Sequence, residues 1–247
     1  MKSSSKFNSL GGFPDLESFK DESGKYGYRE KHSGKVFIAP QFDAAHSFHE
    51  GVAVAMIDHK YGFIDRHGLA VVKFDYDWAH SFHNGLALVE RNGRYGYINQ
   101  EGKEIVPIVY EHIADFHEGL APVKLHDKWG FIDPSGKVVI PPRFDDSWCF
   151  NESLAAVRMD EKWGFIDKTG HLLIPLQYDF AWNFKEDVAA VKQNGKWGYI
   201  DKAGQEFLPF LYDEADSFSK GFAEVKLDTL WGVIDKTGTW QRNEECI

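Results

Sequence analysis

One two-residue pattern returns along the whole chain, and its spacing constrains the fold more than any other feature. An aromatic residue followed by glycine stands at Tyr26-Gly27, Tyr61-Gly62, Tyr95-Gly96, Trp129-Gly130, Trp163-Gly164, Trp197-Gly198 and Trp231-Gly232. The first interval is 35 residues and each of the next five is 34. A phenylalanine keeps the same beat at Phe48, Phe82, Phe116, Phe150, Phe184 and Phe218, and a glycine does so from Gly34 to Gly238. Several columns held in register over six periods mark a repeat architecture. Each copy is then one small unit that buries its apolar surface against its neighbours.

The copy at 129–158 shows the local grammar. Trp129-Gly130-Phe131-Ile132-Asp133 is rich in aromatic and β-branched residues and reads as a strand. Pro134-Ser135-Gly136 is a turn, with Gly136 available for positive φ. Val138-Val139-Ile140 is a second strand, closed by Pro141-Pro142, which have no amide hydrogen for a ladder. A connection from Arg143 to Ser153 leads to a third strand at Leu154–Arg158, which turns directly into the next Trp-Gly. Such short links imply antiparallel hairpins.

Sheets with one wet face alternate apolar and polar residues. Leu154-Ala155-Ala156-Val157 and Val138-Val139-Ile140 are instead apolar at every position. Both faces of each small sheet are therefore expected to be covered by neighbouring units. The expected fold is all-β: about seven tandem three-stranded antiparallel units in a curved, propeller-like array, with an open β-superhelix or solenoid as the alternative. A single β domain is expected over residues 11–241, with a disordered N-terminus at 1–10 and a tail at 242–247.

The strings Lys128-Trp129-Gly130-Phe131-Ile132-Asp133, Lys162-Trp163-Gly164-Phe165-Ile166-Asp167 and Lys196-Trp197-Gly198-Tyr199-Ile200-Asp201 resemble the WG repeat, also called the KWG repeat. Leu172-Leu173-Ile174-Pro175, Tyr178-Asp179 and Val188-Ala189-Ala190-Val191 resemble the downstream part of its pattern. The resemblance covers roughly residues 25–240, with tyrosine replacing the motif tryptophan in the first three copies. It implies a mostly bacterial family of interaction modules without a common enzymatic activity, and it supplies no catalytic residues to transfer.

Composition narrows the remaining choices. With 43% apolar and 15% aromatic residues the chain is a folding sequence. Its net charge of −10 disfavours indiscriminate binding to nucleic acid, which needs a basic face. Cys149 and Cys246 form no C-x-x-C pair. The residues after Met1 include no apolar stretch of a signal peptide, and no run is long enough for a membrane span, so no membrane insertion and a cytoplasmic location are expected. Nucleotide-binding, zinc-protease, serine-hydrolase and EF-hand motifs do not occur.

Three sets of residues could carry function. Two acidic columns, Asp65, Asp133, Asp167, Asp201 and Asp235, and Asp43, Asp77, Asp145, Asp179 and Asp213, invite comparison with paired catalytic carboxylates. Aspartate near a turn, however, usually bonds backbone amides, which is the expectation adopted for both columns. Histidines break the repeat: His46, His49, His80, His83 and His117 fall in two loop columns and could hold a divalent metal or respond to pH. Trp78, Trp148 and Trp182 lie outside the motif on connecting loops, where repeat proteins commonly bind partners. The motif aromatics are expected to pack unit on unit. The chain is thus read as a non-enzymatic, cofactor-free module that contacts another protein through its loop face. A small-ligand binder, for glycan or metal, is the alternative.

Overall fold

The computed structural model describes residues 14–242. The expected disordered segment at 1–10, Cys246 and the tail beyond Arg242 lie outside them. The described residues form seven antiparallel sheets and no helix, so no helix is long and apolar enough to cross a membrane. Every sheet is built from strands consecutive in sequence. The all-β tandem repeat expected from the sequence is the fold observed.

The fifth sheet is representative. Its strands run, in spatial order, Asp146–Ser147, Ala155–Met159, Lys162–Ile166 and Leu172–Tyr178. The last three are the triplet read from the sequence. The two-residue strand is an addition, drawn from the segment read as a connection. It pairs Ser147 with Val157 and gives six of the seven sheets a fourth strand. Among the described residues the first sheet has three strands, Leu16–Lys20, Tyr26–Glu30 and Val36–Phe42.

The outer strand is longer than the sequence suggested, and its prolines lie inside it. Trp163 pairs with Tyr178 but Phe165 pairs with Ile174, so two residues of the motif strand oppose four of the outer strand. This is a bulge, and Pro175 sits within it, where no ladder donor is needed. The bulged backbone folds over the motif glycine. A Cβ on Gly164 would lie 2.5 Å from the Ile174 carbonyl oxygen, and one on Gly130 would lie 2.5 Å from that of Ile140. The glycines at 130 and 164 are thus a steric requirement of their own copies.

Contacts divide the chain into two compact units, one ending at Val109 and the other beginning at Tyr110. Within each, the core lies between consecutive sheets. In the first unit, Phe63 of the second sheet packs with Phe82 and Val89 of the third. In the second unit, Phe165 and Ile174 pack with Phe184, Ala189 and Ile200 of the following sheet. The recurring loop phenylalanine makes the same contact in five copies. Ring centroids are 4.8 Å apart for Tyr28–Phe48, 4.7 Å for Phe63–Phe82, 4.9 Å for Phe131–Phe150, and 4.8 Å for both Phe165–Phe184 and Tyr199–Phe218. On the two inner strands both faces are buried over Ala155, Ala156 and Val157 and from Trp163 to Ile166, while Arg158, Met159 and Lys162 reach toward solvent. The outer strand leaves Val138, Leu172 and Leu173 exposed, contrary to the reading of 138–140 as apolar because buried on both faces.

Candidate partner-binding surface

The two acidic columns take different roles, one in closing turns and the other in joining sheets. Asp133, Asp167, Asp201 and Asp235 accept the amides two and four residues onward, closing the turn before the outer strand as expected. The other column corrects the local reading. Asp145 pairs with Lys128 of the preceding motif strand, while its second oxygen accepts the Asp160 amide of the next hairpin at 2.9 Å. Lys25–Asp43, Lys60–Asp77, Lys162–Asp179 and Lys196–Asp213 repeat the pairing. The lysine before Trp-Gly therefore anchors a clamp from one sheet to the next. These ammonium groups hold the aspartates below the ordinary carboxylate range.

A second clamp was not recognised in the sequence. Each loop that follows a two-residue strand ends in a tight turn of two positive-φ residues, such as Glu152 and Ser153 or Glu186 and Asp187. Glu118 accepts the Ser153 amide at 3.0 Å, Glu152 the Asp187 amide at 2.9 Å and Glu186 the Gly221 amide at 2.9 Å. Lys168 and Lys236 donate to the backbone carbonyls of Glu118 and Glu186, at 2.9 and 2.7 Å. Its sequence traces were the glutamates at 50, 118, 152 and 186, where Glu50 likewise accepts the Asn84 and Gly85 amides, and the lysines at 168, 202 and 236. These polar groups are spent on joining sheets.

The loop tryptophans of the second unit form part of a continuous aromatic band. Trp148 stacks on Trp163 with centroids 6.2 Å apart and planes at 19°, and lies 5.4 Å from Trp182. Trp182 stacks in turn on Trp197 at 6.5 Å and 14°. Phe180 fills the angle between them, 4.9 Å from Trp182 and 5.2 Å from Trp163. The Trp148 indole N–H donates to the Ala181 carbonyl at 3.1 Å, which fixes the ring across a sheet boundary. Trp163 is buried beneath this layer, whereas Trp148 keeps 36% of its surface exposed and Trp182 is half-buried. The motif rings are structural here, and the loop rings present the outer layer.

Trp78 belongs to the first unit, where it is 37% exposed and 5.6 Å from His80. His80 and His83 lie 6.0 Å apart, and His49 and His83 5.8 Å apart, so three of the five expected histidines are neighbours. His46 contributes its backbone carbonyl, which accepts the Tyr28 hydroxyl at 2.7 Å. His117 lies in the second unit, where its backbone closes a turn with Leu120. Among the described residues, no group of three or more histidine, cysteine or acidic side chains is arranged to hold a metal ion. The first unit also has a cleft of about 280 Å³ lined by Asp15, Glu17, Lys31, Ser47, Phe48 and Arg66. Its charges are internally engaged, with Lys31 3.9 Å from Asp15 and Arg66 donating to the Pro14 carbonyl at 3.0 Å.

Sheets of consecutive strands, joined one to the next by the same lysine–aspartate pair in five of the copies, define a tandem β-repeat protein. The chain belongs to the WG containing repeat family, whose pattern matches residues 26–61, 61–95, 95–129, 129–163, 163–197 and 197–229. No curated protein matches the chain. Among solved structures it is similar to a eukaryotic initiation factor, with 10% identity over 91% of this chain and 72% of that one and a TM-score of 0.52. It also resembles Hsv2p of Kluyveromyces lactis, with 11% identity over 76% of this chain and 71% of that one and a TM-score of 0.45. At such identities the likeness to the initiation factor extends to the fold alone.

Proposed function

We propose that the chain is a non-enzymatic binding scaffold, and that a protein partner docks on the aromatic band of the second unit at Trp148, Phe180 and Trp182. The observation that carries this reading is the exposure of Trp148 on a base of packed rings. Trp163 and Trp197 hold the loop rings in place, so a partner meets aromatic surface that is already ordered. Rigid aromatic anchors concentrate binding energy because little side-chain entropy is lost on docking. A catalytic role has no support in the acidic columns, whose carboxylates are occupied by lysines and backbone amides. Trp78 is left outside this surface, since it belongs to the other unit.

Affinity capture at moderate salt tests the reading. Wild type is compared with a Trp148→Ala, Trp182→Ala double variant and with Phe207→Ala, which removes an exposed ring from an outer strand. A stoichiometric protein retained by wild type and Phe207→Ala, but lost by the folded double variant, is the expected result. Retention by the double variant would contradict it.

A further inference from the structure

The first and last sheets depart from the repeat in complementary ways. At an internal seam, Ala190 and Tyr199 of the sixth sheet pack against Ala223, Val225 and Ile234 of the seventh. The seventh sheet, Glu214–Ala215, Phe222–Leu227, Leu230–Asp235 and Trp240–Arg242, turns its own equivalent face outward. There Glu224 pairs across the ladder with Val233, where the sixth sheet pairs Ala190 with Tyr199. Glu224 is exposed, and so are Phe222 at 44% and Trp231 at 48%. These positions are covered in the copies before it: Val188 and Leu154, the counterparts of Phe222, are buried.

The first sheet departs on its opposite face. Glu17 pairs across the ladder with Arg29, where the seventh sheet pairs Ala223 with Ile234. Phe19 stands opposite Gly27, where the seventh sheet has Val225 opposite Gly232. Arg29 is exposed, bonds Glu17 at 2.8 Å and lies 5.4 Å over the Phe19 ring.

The two sets of changes compensate each other. An internal seam sets a large Tyr199 against a small Val225, whereas the terminal faces offer a small Val233 and a large Phe19. The internal seam sets Ala190 near Ile234, whereas the terminal faces offer Glu224 and Arg29. Stacked as internal sheets are, these faces conserve volume and bring opposite charges together. We propose that the chain self-associates head to tail, the seventh sheet of one copy stacking on the first sheet of a second copy. Such a heterologous contact propagates into a ring or an open filament. The inference does not depend on the aromatic band.

Sedimentation of the full chain over a wide concentration range tests it. Wild type should associate with rising concentration. Glu224→Arg and Arg29→Glu should each weaken association about tenfold or more, and the double variant should recover most of that loss. Val233→Tyr, which restores the internal bulk against Phe19, should weaken association without changing charge. Circular dichroism identifies any variant that fails to fold. A wild type that stays monomeric throughout, or a folded double variant no tighter than the single ones, would overturn the proposal.

Discussion

Gly130 lies so close beneath the Ile140 carbonyl that a Cβ on it would meet the oxygen at 2.5 Å and the Pro142 nitrogen at the same distance. The obstacle is backbone, which cannot swing aside as a flexible side chain can. Gly130→Ala should therefore destabilise the chain by about 3 kcal/mol, in the range of core overpacking. Gly119 is a useful contrast, because it has positive φ but open space around its Cα. Gly119→Ala should cost only about 1 kcal/mol of left-handed backbone strain. Urea denaturation of both variants checks the order, and equal losses would contradict the bulge account.

The loop phenylalanines should behave as core residues despite their place in the connections. Phe184 is fully buried and 4.8 Å from Phe165. Phe184→Ala should cost about 3–5 kcal/mol. Phe207→Ala, at a ring 40% exposed, should stay within about 0.5 kcal/mol of wild type. Comparable denaturation midpoints for the two variants would remove the loop ring from the core.

These two columns also show how far the sequence could be read. The period and the strands were legible, because each copy repeats the same steric need. The short strand at Asp146–Ser147 was not, since two residues carry no periodicity. The prolines at 141 and 142 were read as a strand end because a bulge depends on the partner strand. The role of Asp145 was hidden for a related reason: its partners Lys128 and Asp160 lie on different sheets. Of the expected site residues, Trp148 and Trp182 meet, while Trp78 belongs to the other unit. His49, His80 and His83 are neighbours, but nothing in their spacing disclosed whether the rings converge.

The lysine–aspartate clamps contribute to the acid response. Lys128, Lys162 and Lys196 hold Asp145, Asp179 and Asp213 below the ordinary carboxylate value. A carboxyl with a depressed folded value gives its stabilisation above the unfolded pKa of about 3.9 and loses it as pH falls through the folded value. Stability should be flat from neutrality to about pH 5 and decline below about pH 4. Asp145→Asn with Asp179→Asn should flatten that decline in denaturation midpoints measured against pH. An unchanged acid slope in the double variant would assign the response to other groups.

Ser147 is a polar exception in a column otherwise filled by Ala45, Ala79, Ile113, Ala181 and Ala215. Its hydroxyl is buried and has no hydrogen-bond partner within the described protein. Ser147→Ala should raise stability by about 1 kcal/mol, because an unsatisfied buried hydroxyl is removed. A loss of that size in the denaturation midpoint would mean that a buried water satisfies the hydroxyl.

Site-specific photo-cross-linking in the native host tests the central claim most directly, with a photoreactive phenylalanine analogue placed in turn at positions 180, 182 and 207. The account predicts one protein partner captured from 180 and 182 and nothing from 207. Capture of that partner from 207 alone, with 180 and 182 silent, would contradict it.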